Sequence, residues 1–88
     1  MLKDILQFLQ VYKDTSNNKA TRSYSLCKSL ELVSAYAREI NRFQSSEGKL
    51  LYAGFHGIEL MLINAMHTGE LIKVDDAIGF IRLLVDES

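Results

Sequence analysis

Apolar residues along this chain fall into four stripes of helical period, separated by short polar breaks. In the first stripe Leu2, Ile5, Leu6, Phe8, Leu9 and Tyr12 recur at three- and four-residue steps, which predicts a helix from about Leu2 to Lys13. It stops in Asp14-Thr15-Ser16-Asn17-Asn18, where short polar side chains compete for backbone hydrogen bonds. The second stripe is Leu26, Leu30, Val33, Ala37 and Ile40, widened by Tyr36 and Phe43. Lys28, Glu31, Arg38, Glu39 and Arg42 fall on the opposite side. Carrying this helix backwards puts Lys19 and Arg22 on the apolar line, so its start is expected between Thr21 and Ser25, capped by a hydroxyl. Residues 15–22 then form a loop or a short helical turn of their own. Gln44-Ser45-Ser46-Glu47-Gly48 ends the helix.

The third stripe, Leu51, Phe55, Ile58, Leu62 and Ala65, predicts a helix from about Lys49 to His67. Gly54 and Gly57 lie inside it, each costing about 1 kcal/mol against alanine. The expected offset is close approach of another helix backbone. Gly69 stands where glycine usually follows a helix end. The fourth stripe, Val74, Ala77, Ile78, Ile81, Leu84 and Val85, predicts a helix from about Val74 to Asp86, with Asp75 and Asp76 in the dipole-favoured first turn. Short connections make consecutive helices antiparallel neighbours. The expected fold is therefore all-α: one domain over residues 1–88, an up-and-down bundle of four helices with a possible extra short turn.

Residues 50–66 contain only three strongly polar side chains, His56, Glu59 and Asn64. A helix that is apolar on nearly every side needs cover on nearly every side. Ala53, Gly57, Leu60 and Ile63 lie off the main stripe of the third helix, and Phe80 and Leu83 lie off that of the fourth. These six residues are the expected interface for a partner protein or for a second copy in a homodimer. The alternative is that residues 14–24 fold over them. The run is shorter than the roughly 18–20 apolar residues of a membrane span, and a charge at its centre would cost a few kcal/mol. No membrane span is expected.

Composition adds bounds. Apolar residues make up 48% and charged residues 24% of the 88 positions, as in a folded globule. A chain this short gains from association. The single cysteine, Cys27, excludes an intrachain disulfide and fits a reducing, cytoplasmic setting. Asp4, close to the start, breaks the pattern of a signal peptide. Residues 1–44 carry seven Lys and Arg against four Asp and Glu, and residues 45–88 carry three against seven. That asymmetry reads first as attraction between packed helices and second as a basic face for an acidic partner.

Candidate chemistry is sparse. Lys49, Tyr52, His56 and Glu59 share a flank of the third helix, and a His with a Glu three residues on could relay a proton or supply half of a metal site. The further ligands of a metal site and the full set of groups of a catalytic site are missing, so no enzyme activity and no cofactor is expected. Cys27, near the expected start of the second helix and beside Lys28, reads as packing before it reads as a reactive thiol. Phosphate-loop, dinucleotide and zinc patterns are absent. A helix-turn-helix reading would make Asp75–Asp86 the recognition helix, where Arg82 stands among acids that repel phosphate. The function read from the sequence is a non-catalytic protein–protein interaction module: a regulator, inhibitor or immunity-type factor. Two alternatives stand behind it, a small helical nucleic-acid-binding regulator and an enzyme or metal protein using His56 and Glu59.

The order of elements carries one resemblance. A short N-terminal helix, a polar loop, two long antiparallel helices and a short last helix after the Gly69-Glu70-Leu71 turn resemble the immunity proteins of pediocin-type bacteriocins. Those are small cytosolic four-helix bundles. The resemblance spans the whole chain in layout and implies the same fold class and an immunity role. It transfers no functional residue.

Overall fold

The computed structural model describes residues 2–42, 46–69 and 71–87. They form four helices: α1 (Leu2–Lys13), α2 (Lys19–Asn41), α3 (Ser46–Thr68) and α4 (Ile72–Glu87), with no strand among the described residues. Each helix follows from its stripe. Ile5, Leu9 and Tyr12 bury the inner face of α1. Leu26, Val33, Ala37 and Ile40 do so for α2, and Phe55, Ile58, Leu62 and Ala65 for α3. Val74, Ala77, Ile78 and Ile81 complete one continuous core from α4. Leu30 and Leu51, both on their expected stripes, are half-buried at its margin.

The helices close into a ring. α1 packs on α2 and α4, and α3 packs on α2 and α4, while no Cα atoms of α1 and α3, or of α2 and α4, come within 8 Å of each other among the described residues. Partner residues run in opposite senses along neighbouring helices. Ser34 meets Glu59 and Tyr36 meets Phe55 across α2 and α3, while Phe8 meets Tyr24 across α1 and α2. This is the antiparallel up-and-down bundle expected from the short connections, elongated to 41 × 25 × 19 Å by its two 23-residue helices.

Three helix starts differ from those read in the sequence. That of α4 lies two residues earlier, at Ile72 in place of Val74, so that only Asp75 of the expected acidic pair lies in its first turn. α2 begins at Lys19, not within 21–25, and its cap is Asn18, not a hydroxyl. The Asn18 side-chain oxygen accepts from the Thr21 backbone N–H at 2.7 Å, which satisfies one of the free donors of the first turn. Residues 19–22 are thus the opening turn of α2 and not a separate element. Arg22 can stand on the buried line because its Nε donates to the Tyr12 carbonyl at 2.7 Å and its guanidinium lies 5.1 Å from the centre of the Tyr12 ring. It satisfies a carbonyl left open at the end of α1 and covers an aromatic face. α3 also starts earlier, at Ser46, so Ser46, Glu47 and Gly48 belong to its first turn and not to a breaker. Glu47 there suits the helix dipole. Positions 44 and 45 of the expected breaker, and Phe43 of the second stripe, lie outside the described residues.

Gly69 ends α3 as expected: its φ is +74°, and its N–H closes on the Ala65 carbonyl at 2.8 Å. The core also holds two residues that hydropathy does not select, Ser25 and Ser29. The Ser29 hydroxyl donates to the Ser25 carbonyl at 2.8 Å, so it is buried without an open polar group. The charge asymmetry has a structural use as well, because Lys13 at the end of α1 pairs with Asp75 at the start of α4.

Candidate interaction surface

α3 carries two apolar rows on opposite sides. Leu51, Phe55, Ile58, Leu62 and Ala65 face the core. Leu50, Ala53, Gly57 and Leu60, spaced three, four and three apart, repeat the helical period about half a turn away. No neighbouring helix covers this second row. Leu50 is 75% exposed and Leu60 56%, Ala53 is exposed, and a side chain added at Gly57 would meet nothing within 4 Å. Ile63 (38%) widens the row on one side, and Leu83 of α4 is 64% exposed.

Of the six residues expected at an interface, Ala53, Leu60, Ile63 and Leu83 are open to solvent and Gly57 is half-buried. Residues 14–24 do not close over the row: they form the α1–α2 turn and the first turns of α2, and Leu50 and Leu60 of the row stay exposed.

Phe80 stands apart. Its ring is half-buried, packs edge-on against Phe55 at 5.6 Å, and fills the space beside Gly54. Phe80 is therefore part of the α3–α4 packing. The same contact corrects the expectation for the glycines. The missing side chain at Gly54 admits an aromatic ring, not a helix backbone, and Gly57 has no close neighbour. Leu50 was not among the expected residues. Its place three residues before Ala53 continues the second row and was the available signal.

The flank with His56 is a polar seam beside this surface. Tyr52 stacks on the His56 ring at 6.0 Å with an interplanar angle of 10°. His56 Nδ1 lies 3.4 Å from Glu59 Oε1. The other Glu59 oxygen accepts a hydrogen bond from the Ser34 hydroxyl of α2. The sequence placed Tyr52, His56 and Glu59 together; Ser34 comes from another helix and could not be read from their spacing. The carboxylate stands between the hydroxyl and the imidazole, one oxygen toward each. What this arrangement does is tie α2 to α3. Among the described residues no three His, Cys, Asp or Glu side chains gather as a metal group.

Cys27 is exposed and lies two turns inside α2, so the helix-terminus argument for a reactive thiol does not apply to it. The basic face of α2 is interleaved with acids as expected, with Lys28 3.5 Å from Glu31 and Arg42 3.4 Å from Glu39. No helix among the described residues is long and apolar enough to cross a membrane.

No protein-family model, curated protein or solved structure matches this chain.

Proposed function

We propose that this chain is a non-catalytic helical interaction module that binds through the outer row of α3 and the adjoining edge of α4. One observation carries the reading: Leu50, Leu60 and Leu83 are each more than half exposed, on the outer face of α3 and on α4. Scattered exposed leucines need no explanation, but a periodic row beside further apolar residues is the usual mark of a binding surface. Gly57 at its middle leaves room for a second helix to approach. A second copy is the occupant we assign first, because a twofold pairing of this face buries both rows at once and gives an 88-residue chain stability that its own small core is slow to supply. An inhibitor or immunity-type role in the cytoplasm, as the layout suggests, would use the same face on a different protein.

Amide spectra recorded at rising protein concentration test this reading. Signals from residues 50–66 and around Leu83 should shift or broaden together, while those on the exposed side of α2, such as Arg38, stay fixed. Concentration-dependent shifts confined to other surfaces would reject the assigned face.

A further inference from the structure

Apart from the α3 face, the bundle has a groove at the end where α1 finishes and α2 begins. It is bounded by Tyr12, the first turns of α2 and the end of α3, and its volume is about 420 Å³. That lies within the roughly 300–1,000 Å³ common for small-molecule sites. Leu26, Ala65 and Met66 give it an aliphatic lining, and Lys19 and Arg22 line it as well. No carboxylate lines it among the described residues.

Among the described residues neither cation makes an ion pair. Arg22 spends its Nε on the Tyr12 carbonyl and one face on the Tyr12 ring. Its terminal nitrogens have no ion pair or hydrogen bond among the described residues, and neither does the exposed Lys19. Asp14 is close enough to feel the Arg22 charge, but the carboxylate bonds Ser16 and makes no ion pair with Arg22. An aliphatic lining with two cations that make no ion pair among the described residues matches a ligand with an alkyl body and an anionic head. The aromatic ring present is already covered by Arg22, and methionine adapts to flexible chains. We propose that this groove binds a small aliphatic carboxylate, with the alkyl chain against Leu26, Ala65 and Met66 and the carboxylate at Arg22 and Lys19.

Octanoate is the probe, with octanol and octylamine as neutral and cationic controls. Cys27 lines the same groove, is exposed, and is the chain's only cysteine, so its reaction rate with N-ethylmaleimide reports occupancy. Calorimetry should show saturable octanoate binding, tighter than either control by about tenfold or more, as a charge-assisted contact gives. Saturation should slow Cys27 modification several-fold. Lys19→Glu, on an exposed side chain outside the core, should weaken binding by about tenfold by placing a negative charge in the lining. Met66→Asp should abolish it, with helicity checked by circular dichroism. Absence of saturable binding, octanol binding as tightly as octanoate, unchanged Cys27 reactivity, or full affinity in either variant would overturn the proposal.

Discussion

The ring of Phe80 occupies the space that a side chain at residue 54 would need: a Cβ built on Gly54 would lie 2.6 Å from Phe80 Cζ. Gly57, one turn further along the same helix, has nothing within 4 Å. Two glycines that look alike in the sequence thus have opposite surroundings. Gly54→Ala should destabilise the protein by about 1–2 kcal/mol, because the displaced ring must give up packing against Phe55. In a Phe80→Ala background the same change should stabilise by up to about 1 kcal/mol, the helix-propensity gain alone. Gly57→Ala should be stabilising by about 0.5–1 kcal/mol at low protein concentration. Denaturant melts of the four variants test the contrast, and equal effects at the two glycines would contradict it.

Truncation separates the two rows of α3. Phe55 and Leu62 are fully buried, and Phe55→Ala or Leu62→Ala should cost about 2–5 kcal/mol. Leu50→Ala, on the outer row, should change monomer stability by no more than about 0.5 kcal/mol. Urea midpoints at constant slope provide the measurement.

The start of α2 rests on two side chains. Asn18→Ala removes the cap bond to Thr21 and should cost about 1 kcal/mol. Arg22→Ala removes a charged hydrogen bond to the Tyr12 carbonyl together with the ring contact, and should cost about 1–3 kcal/mol. Amide exchange should show both losses first in residues 19–25. Uniform loss of protection across the bundle would contradict this placement.

Asp14 should titrate below its ordinary value of 3.8. The Ser16 hydroxyl bonded to its carboxylate is the main cause, followed by the Ser16 backbone N–H and the charge of Arg22. A depressed carboxyl in the folded chain means that the unfolded chain takes up its proton first. Its contribution to stability is therefore complete above about 3.8 and disappears as pH falls through the lower folded value. Carbon-13 titration of the carboxyl should show the depression, and Ser16→Ala should move the midpoint upward. A midpoint at or above 3.8 in the wild type would contradict the assignment.

The bundle was legible because each core stripe is periodic. Leu26, Val33, Ala37 and Ile40 or Phe55, Ile58, Leu62 and Ala65 identify a buried face whatever lies opposite. The start of α2 was misread because Lys19 and Arg22 were judged by polarity. Arg22 is accommodated by a carbonyl and a ring of α1, ten residues earlier, and such a partner is invisible to local spacing. Phe80 was misplaced for a related reason: its off-stripe position is compensated by the hollow at Gly54 on another helix. Ser34 reaches Glu59 only because α2 and α3 run antiparallel in one register. The outer row of α3 needed only its own period, and Leu50 extends it by one step.

Sedimentation equilibrium of the wild-type chain beside Leu60→Glu, from micromolar to near-millimolar concentration, tests the central claim most directly. Leu60 is more than half exposed in the single chain, so a charge there should leave the helices intact by circular dichroism. A monomer–dimer equilibrium is expected for the wild type and a monomer at every concentration for Leu60→Glu. A wild type that stays monomeric throughout, or a dimer that survives the substitution unchanged, would contradict it.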